Sequence, residues 1–218
     1  MIFSHLLILR RRPIAATANV AYMKRVLIIH GWGNERPVGH WHRLLATALR
    51  KEGHIVAYPQ LPDTELPTLD KWLAVLKVEL DMLNEAGDGE LLVFGHSLGC
   101  LTWLHIVQSN ILKEQASRVM LVAPADPDLC GEVPDFQLDL SAPSVKAAAH
   151  KAAQSTLLVG SDLDPWLPRG LEATYATPLD LPFDLVQGAG HFAVEEGWTP
   201  WQGVINWVND ANADLAVR

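Results

Sequence analysis

From Lys24 onward the chain alternates between two kinds of apolar pattern. Short unbroken runs such as Val26-Leu27-Ile28-Ile29 and Leu91-Leu92-Val93-Phe94 have the length and character of strands buried on both faces. Between them, longer stretches space their apolar residues three and four apart. Leu69, Trp72, Leu73, Leu76, Leu80 and Leu83 form such a stripe, which sets one side of a helix against a core. The runs predict six strands, near residues 24–30, 54–58, 90–95, 118–123, 155–160 and 182–187. The stripes predict helices over 39–51, 67–85, 98–109, 169–177 and 200–212, with Pro67 and Pro200 suited to first turns. Strands alternating with helices imply parallel pairing through crossovers. The expected fold class is α/β, a three-layer α/β/α sandwich around a mostly parallel six-stranded sheet.

Two segments fall outside this rhythm. Residues 124–154 join the fourth and fifth strands, and Asp126, Pro127, Asp128, Gly131 and Pro134 break the first half, leaving only 144–153 helical. That leaves no room for a full cap domain and implies an open, shallow cleft. The first 22 residues carry Arg10-Arg11-Arg12 after a short apolar run, the reverse of a secretory signal, and the run is too short to span a bilayer. Residues 1–22 are therefore expected to be a disordered tail or a misassigned start ahead of Met23. The alternatives are a weak interfacial anchor or a targeting leader. Residues 23–218 are expected to form one domain, and no stable membrane insertion is expected.

Composition narrows the partners. With 25 acidic and 17 basic residues the net charge is −8, which repels phosphate backbones and argues against nucleic acid. Cys100 and Cys130 have no metal-ligand spacing around them, and sparse cysteine use suits a reducing cytoplasm, although a single disulfide between them stays open. His40 and His42 have no carboxylate or cysteine cluster to complete a metal site, so neither metal nor other cofactor is expected.

The chemistry is concentrated after the third predicted strand. Gly95-His96-Ser97-Leu98-Gly99 stands between an apolar strand and a helical stretch, the context of a nucleophile elbow, in which a serine sits exposed on a sharp strand-to-helix turn. A serine hydroxyl is a weak nucleophile at neutral pH and needs a base, itself oriented by a carboxylate. Two candidate acids, Asp162 and Asp164, follow the fifth predicted strand, and His191 follows the sixth. This is the chain order Ser, Asp, His, with each residue at the carboxyl end of a strand, where open parallel sheets bind ligands.

Taken with His30-Gly31-Trp32-Gly33, His40-Trp41, Leu121-Val122-Ala123-Pro124, Ser161-Asp162-Leu163-Asp164-Pro165 and Gly190-His191-Phe192, the elbow resembles the α/β-hydrolases. Within them it is similar to the small serine hydrolases of the retinoblastoma-binding protein nine and YdeN-like family. The similarity runs from about Lys24 to the C-terminus. It implies a minimal α/β-hydrolase with a Ser-Asp-His triad acting on ester or amide bonds, and it favours Asp164 over Asp162 because Asp164 precedes a short stretch ending in proline.

The expected mechanism has His191 take the Ser97 proton, Asp164 hold the imidazole, and an acyl-enzyme form on Ser97. The backbone N–H groups of Leu98 and Trp32 match the oxyanion donors that such an elbow uses. Trp32 and Trp166 are expected to line the cleft, as is Trp198, with Phe136 and Leu138 walling an acyl pocket. His96 and His30 are read as packed, hydrogen-bonded histidines, His30 shaping the oxyanion loop. The expected partner is a small-molecule ester or acyl substrate; a protein partner is not indicated. The alternative of another class is a binding or scaffold protein that keeps the fold with little turnover.

Overall fold

The computed structural model describes residues 23–109 and 111–218, so the expectations for residues 1–22 lie outside the described chain. Six strands, β1 (Lys24–Ile29), β2 (Ile55–Ala57), β3 (Glu90–His96), β4 (Ala116–Val122), β5 (Ala153–Gly160) and β6 (Phe183–Leu185), form one sheet in the order β2-β1-β3-β4-β5-β6. Every pairing is parallel. The chain steps outward from β1 to β2 and then returns to place β3 on the other side of β1. That reversal opens a crevice at the carboxyl ends of β1 and β3, where α/β sheets bind ligands.

The unbroken apolar runs now have a reason. Leu27, Ile29, Leu91, Val93, Val119 and Leu121 face one buried cluster, and Val26, Ile28, Leu92, Phe94, Met120 and Val122 face another. Helices α2 (Leu69–Glu85), α3 (Leu98–Gln108) and α4 (Pro143–Ala152) cover the first face, while α1 (Trp41–Lys51) and α6 (Gln202–Trp207) cover the second. The result is the expected three-layer sandwich. Between β4 and β5 stand two short 3-10 turns, Pro127–Glu132 and Pro134–Phe136, before α4, so among the described residues no cap domain is inserted there.

Two expected helices are altered. The stretch read as a helix over 169–177 is a π-helical segment, Glu172–Ala176, running into a three-residue helix α5, Thr177–Leu179. Pro178 has no N–H to give a regular ladder, and Asp180 in the left-handed region ends it. The last helix stops at Trp207 instead of reaching 212: the Asp210 side chain takes the Asn212 N–H at 2.9 Å and turns the chain back. The carbonyls of the returning tail accept from α6 and its approach: Val217 O from the Gly203 N–H at 2.8 Å and Leu215 O from Trp201 Nε1–H at 2.8 Å.

Candidate active site

Ser97 occupies a single strained residue between β3 and α3, with φ 55° and ψ −124°. A left-handed φ at a non-glycine residue persists only where the surroundings impose it. Here the start of α3 is pressed against β1: a Cβ at Gly99 would collide with the carbonyl oxygens of Ile29 and His30. Glycine at 99 is therefore a packing requirement. At Gly31 a Cβ would lie 2.8 Å from Ser97 Cβ, so the loop after β1 passes directly over the serine.

That loop is held by His30. A carbonyl only accepts, so the 2.9 Å contact from His30 Nδ1 to Gly31 O places the proton on Nδ1, and Nε2 accepts the Leu61 N–H at 3.0 Å. Burial keeps the ring neutral, lowering its pKa to about 4. Gly31 C=O and Trp32 N–H belong to one planar trans peptide, so drawing the oxygen toward His30 turns the N–H the opposite way. Trp32 is further fixed through Nε1 to Glu65 O at 2.9 Å and through the adjacent Gly33 N to Thr64 O at 3.0 Å. Among the described residues the backbone N–H groups of Trp32 and Leu98 have no acceptor.

His191 lies between two left-handed residues, Gly190 at φ 62° and Phe192 at φ 56°. Its Nδ1 is 2.9 and 3.0 Å from the two carboxylate oxygens of Asp164, which is almost wholly buried, while the imidazole stays partly open. Asp162 is exposed and instead accepts the Gly188 N–H at 2.7 Å. Ser161, between them in role, accepts the Gly190 N–H at 3.0 Å and the Leu163 N–H at 3.1 Å, tying the two loops together. From the other side His96 Nε2 donates to the His191 carbonyl at 2.8 Å. The Phe192 ring packs on Trp198 and Trp201.

Ser97, Leu98 and His191 line one pocket of about 220 Å³ with Trp32, Leu129 and Trp166. The Ser97 hydroxyl and the imidazole share this space without a hydrogen bond between them among the described residues; such contacts are commonly longer before substrate arrives. Cys130 also lines the pocket as a free thiol whose pKa burial pushes up to about 11, so it is no competing nucleophile at neutral pH. Asp126 puts a carboxylate in the wall, neutralised by Arg169 through contacts of 2.9 and 2.6 Å.

Three residues expected at the cleft are elsewhere. Phe136 is fully buried, edge-on to Trp72 at 5.2 Å, because the 3-10 turn after Pro134 folds its ring into the core. Trp198 is fully buried on the opposite face of the sheet, with Nε1 donating to Ala189 O at 2.9 Å. Leu138 packs against the first core cluster and is absent from the pocket lining. The apolar wall is supplied by Ala125, Leu129 and Cys130. Sequence reading passed over these three. Their signal was position alone, in the loop leaving the carboxyl end of β4 at the same sheet edge as Ser97.

A serine elbow at the reversal of an all-parallel sheet, with a carboxylate-held histidine in the same pocket, defines a protein of the α/β-hydrolase fold. The chain belongs to the serine hydrolase family, whose profile matches residues 26–210. It is 26% identical over 184 residues to the YdeN protein of Bacillus subtilis, covering 81% of this chain and 90% of that protein. The crystal structure of the B. subtilis ydeN gene product superposes with a TM-score of 0.69 at 23% identity, over 86% of this chain and 97% of that one. A YdeN-like hydrolase from Pectobacterium atrosepticum gives 0.65 at 25% identity, over 86% and 90%. Family and fold together make this protein an enzyme of the hydrolase class. Among the described residues no helix is long and apolar enough to cross a membrane.

Proposed function

We propose that residues 23–218 act as one catalytic domain that cleaves an ester bond through an acyl-enzyme on Ser97. His191 removes the hydroxyl proton as Ser97 attacks the carbonyl, then returns it to the leaving group. Asp164 holds Nδ1–H so that Nε2 is the basic nitrogen, and it stabilises the imidazolium that forms. The oxyanion is received by the N–H groups of Leu98 and Trp32, and water then releases the acid. The observation that carries this reading is the Asp164 carboxylate on His191 Nδ1, at 2.9 and 3.0 Å, behind a pocket that also holds Ser97. A largely apolar pocket of about 220 Å³, with its one carboxylate already paired to Arg169, suits an uncharged substrate with a short to medium acyl group, and Trp166 and Trp32 flank it. Two buried free thiols, Cys100 and Cys130, support a reducing cytoplasmic setting.

Labelling with a fluorophosphonate probe tests nucleophile activation without the natural substrate. Wild type should label, Ser97→Ala should not, and Asp164→Asn should label on the order of 10³- to 10⁴-fold more slowly. Asp162→Asn should stay within a few-fold of wild type. A folded wild type that fails to label would sink the reading and return the protein to the binding or scaffold class.

A further inference from the structure

Outside the Ser97 pocket, the exposed edge of the sheet carries an unusual concentration of positive charge. Arg36, Arg43 and Arg50 line a groove of about 390 Å³ beside β2, together with Glu35, Thr47 and Tyr58. No residue is shared with the lining of the Ser97 pocket. Among the described arginines, Arg25, Arg118 and Arg169 each reach a carboxylate, on Glu114, Glu90 and Asp126. The three groove arginines form no ion pair among the described residues, in a chain whose acids outnumber its bases 25 to 17. Glu35 in the lining and Glu79, which feels the field of Arg50, are the acids nearby, and neither pairs with them.

The guanidinium groups are also fixed in place. β2 is an edge strand, and the chain at Val56 and just past it at Tyr58 offers backbone carbonyls to the arginines. Arg50 donates to Val56 O at 3.0 Å and Arg36 to Tyr58 O at 2.7 Å. Arg36 gives a second bond to Gln60 Oε1 at 3.2 Å, and Arg43 donates to Arg36 O at 3.1 Å. Each guanidinium has five N–H donors, so most remain uncommitted. With Arg36 and Arg50 held at neighbouring points of the chain and Arg43 held by Arg36, the free N–H donors of all three belong to one groove.

Covering an edge strand accounts for one bond from each of two arginines. It does not account for three like charges gathered around one groove without a counter-ion, an arrangement that is repulsive unless an anion joins it.

We propose that this groove is an anion site that takes a phosphate group, with Arg36, Arg43 and Arg50 as its ligands and the protein's own acids kept out of ion-pair reach. Free phosphate and the phosphoryl group of a small metabolite offer the same chemistry.

The test is a titration of ¹⁵N-labelled full-length protein with inorganic phosphate at constant ionic strength and pH 7.5, following the arginine Nε–H resonances. Saturable shifts at Arg36, Arg43 and Arg50 with a dissociation constant on the order of millimolar are expected, with no response to chloride at matched ionic strength. Arg43→Glu, on the exposed face of α1, should weaken binding at least about tenfold. Phenyl phosphate run in parallel separates the sources: tighter binding than inorganic phosphate assigns the site to a phosphomonoester, equal binding to the free ion. Shifts that stay linear, or that saturate equally in Arg43→Glu, overturn the proposal and leave the arginines as edge-strand caps. If Arg43→Glu loses its fold, Arg50→Gln provides the same comparison. None of these readouts uses turnover, so they stand apart from the fate of the Ser97 mechanism.

Discussion

His96, expected from the sequence to be a packed, hydrogen-bonded histidine, has that character in the structure. Next to Ser97, its Nε2 donates to the His191 carbonyl at 2.8 Å, and burial holds the ring neutral. The side chain beside Ser97 is thereby tied to the backbone of His191, the proposed base, which stands between two left-handed residues. A displacement of about 1 Å in such a constellation costs on the order of 10²-fold. His96→Leu, which removes the donor at similar volume, is expected to lower kcat about 10- to 100-fold with little change in KM. His96→Gln, whose Nε2 can sit where the imidazole donor sat, should recover most of it. Equal kcat in wild type and His96→Leu, or no recovery in the glutamine variant, would reduce His96 to packing. Elbow and chain order together put Ser97 and His191 at one sheet edge, and the structure brings the two into one pocket. Asp164 and Asp162 were separable by motif only through resemblance; the structure distinguishes them by burial and by which one meets the imidazole. The pocket wall was illegible because the 3-10 turns after β4 carry no periodicity, and they turn Phe136 inward and Leu129 outward.

At the scale of elements, the strands were read well because burial on both faces writes unbroken apolar runs. The helices were read well where a long stripe exists, as in α1 and α2. Where the segment is short, local hydrogen bonds win: Asp210 stops α6 early, and Pro178 breaks the regular ladder before α5. The junction of β3 and α3 is the least forgiving joint in the fold. Gly99→Ala would drive a methyl into the Ile29 and His30 carbonyls, backbone against backbone, where no side chain can move aside. Overpacking of this kind costs about 1–3 kcal/mol even where relief is available. We expect Gly99→Ala to lose at least about 2 kcal/mol in urea unfolding. A loss under half of that would mean that α3 can slide away from β1.

Across the whole molecule, buried neutral histidines make stability depend on pH. His30 and His40 have pKa values lowered to about 4, chiefly by burial, and His42 and His96 move the same way. The unfolded chain binds protons at these sites below about pH 6.5 while the folded chain does not, so stability is full above 6.5 and falls as pH drops toward 4. His30 and His40 should each remove about 2 kcal/mol between pH 7 and pH 5. Urea midpoints measured at both values check this, and His30→Gln should flatten the dependence by about one histidine's share. An unchanged midpoint would show that these rings are hydrated in solution.

The order of the chain also sets a sequence of events during synthesis. Ser97, between β3 and α3, is made before β5, Asp164, β6 and His191. His191 depends on β6, a three-residue strand that docks on β5, and on Phe192 seated against Trp198 and Trp201. Those tryptophans are in turn held by the last residues, Leu215 through its carbonyl and Arg218 over the Trp198 ring at 4.5 Å. Under the proposed mechanism, a chain made only as far as β5 has Ser97 but no His191 to serve as its base, so it stays chemically quiet until β6 and the tryptophans that seat Phe192 are in place.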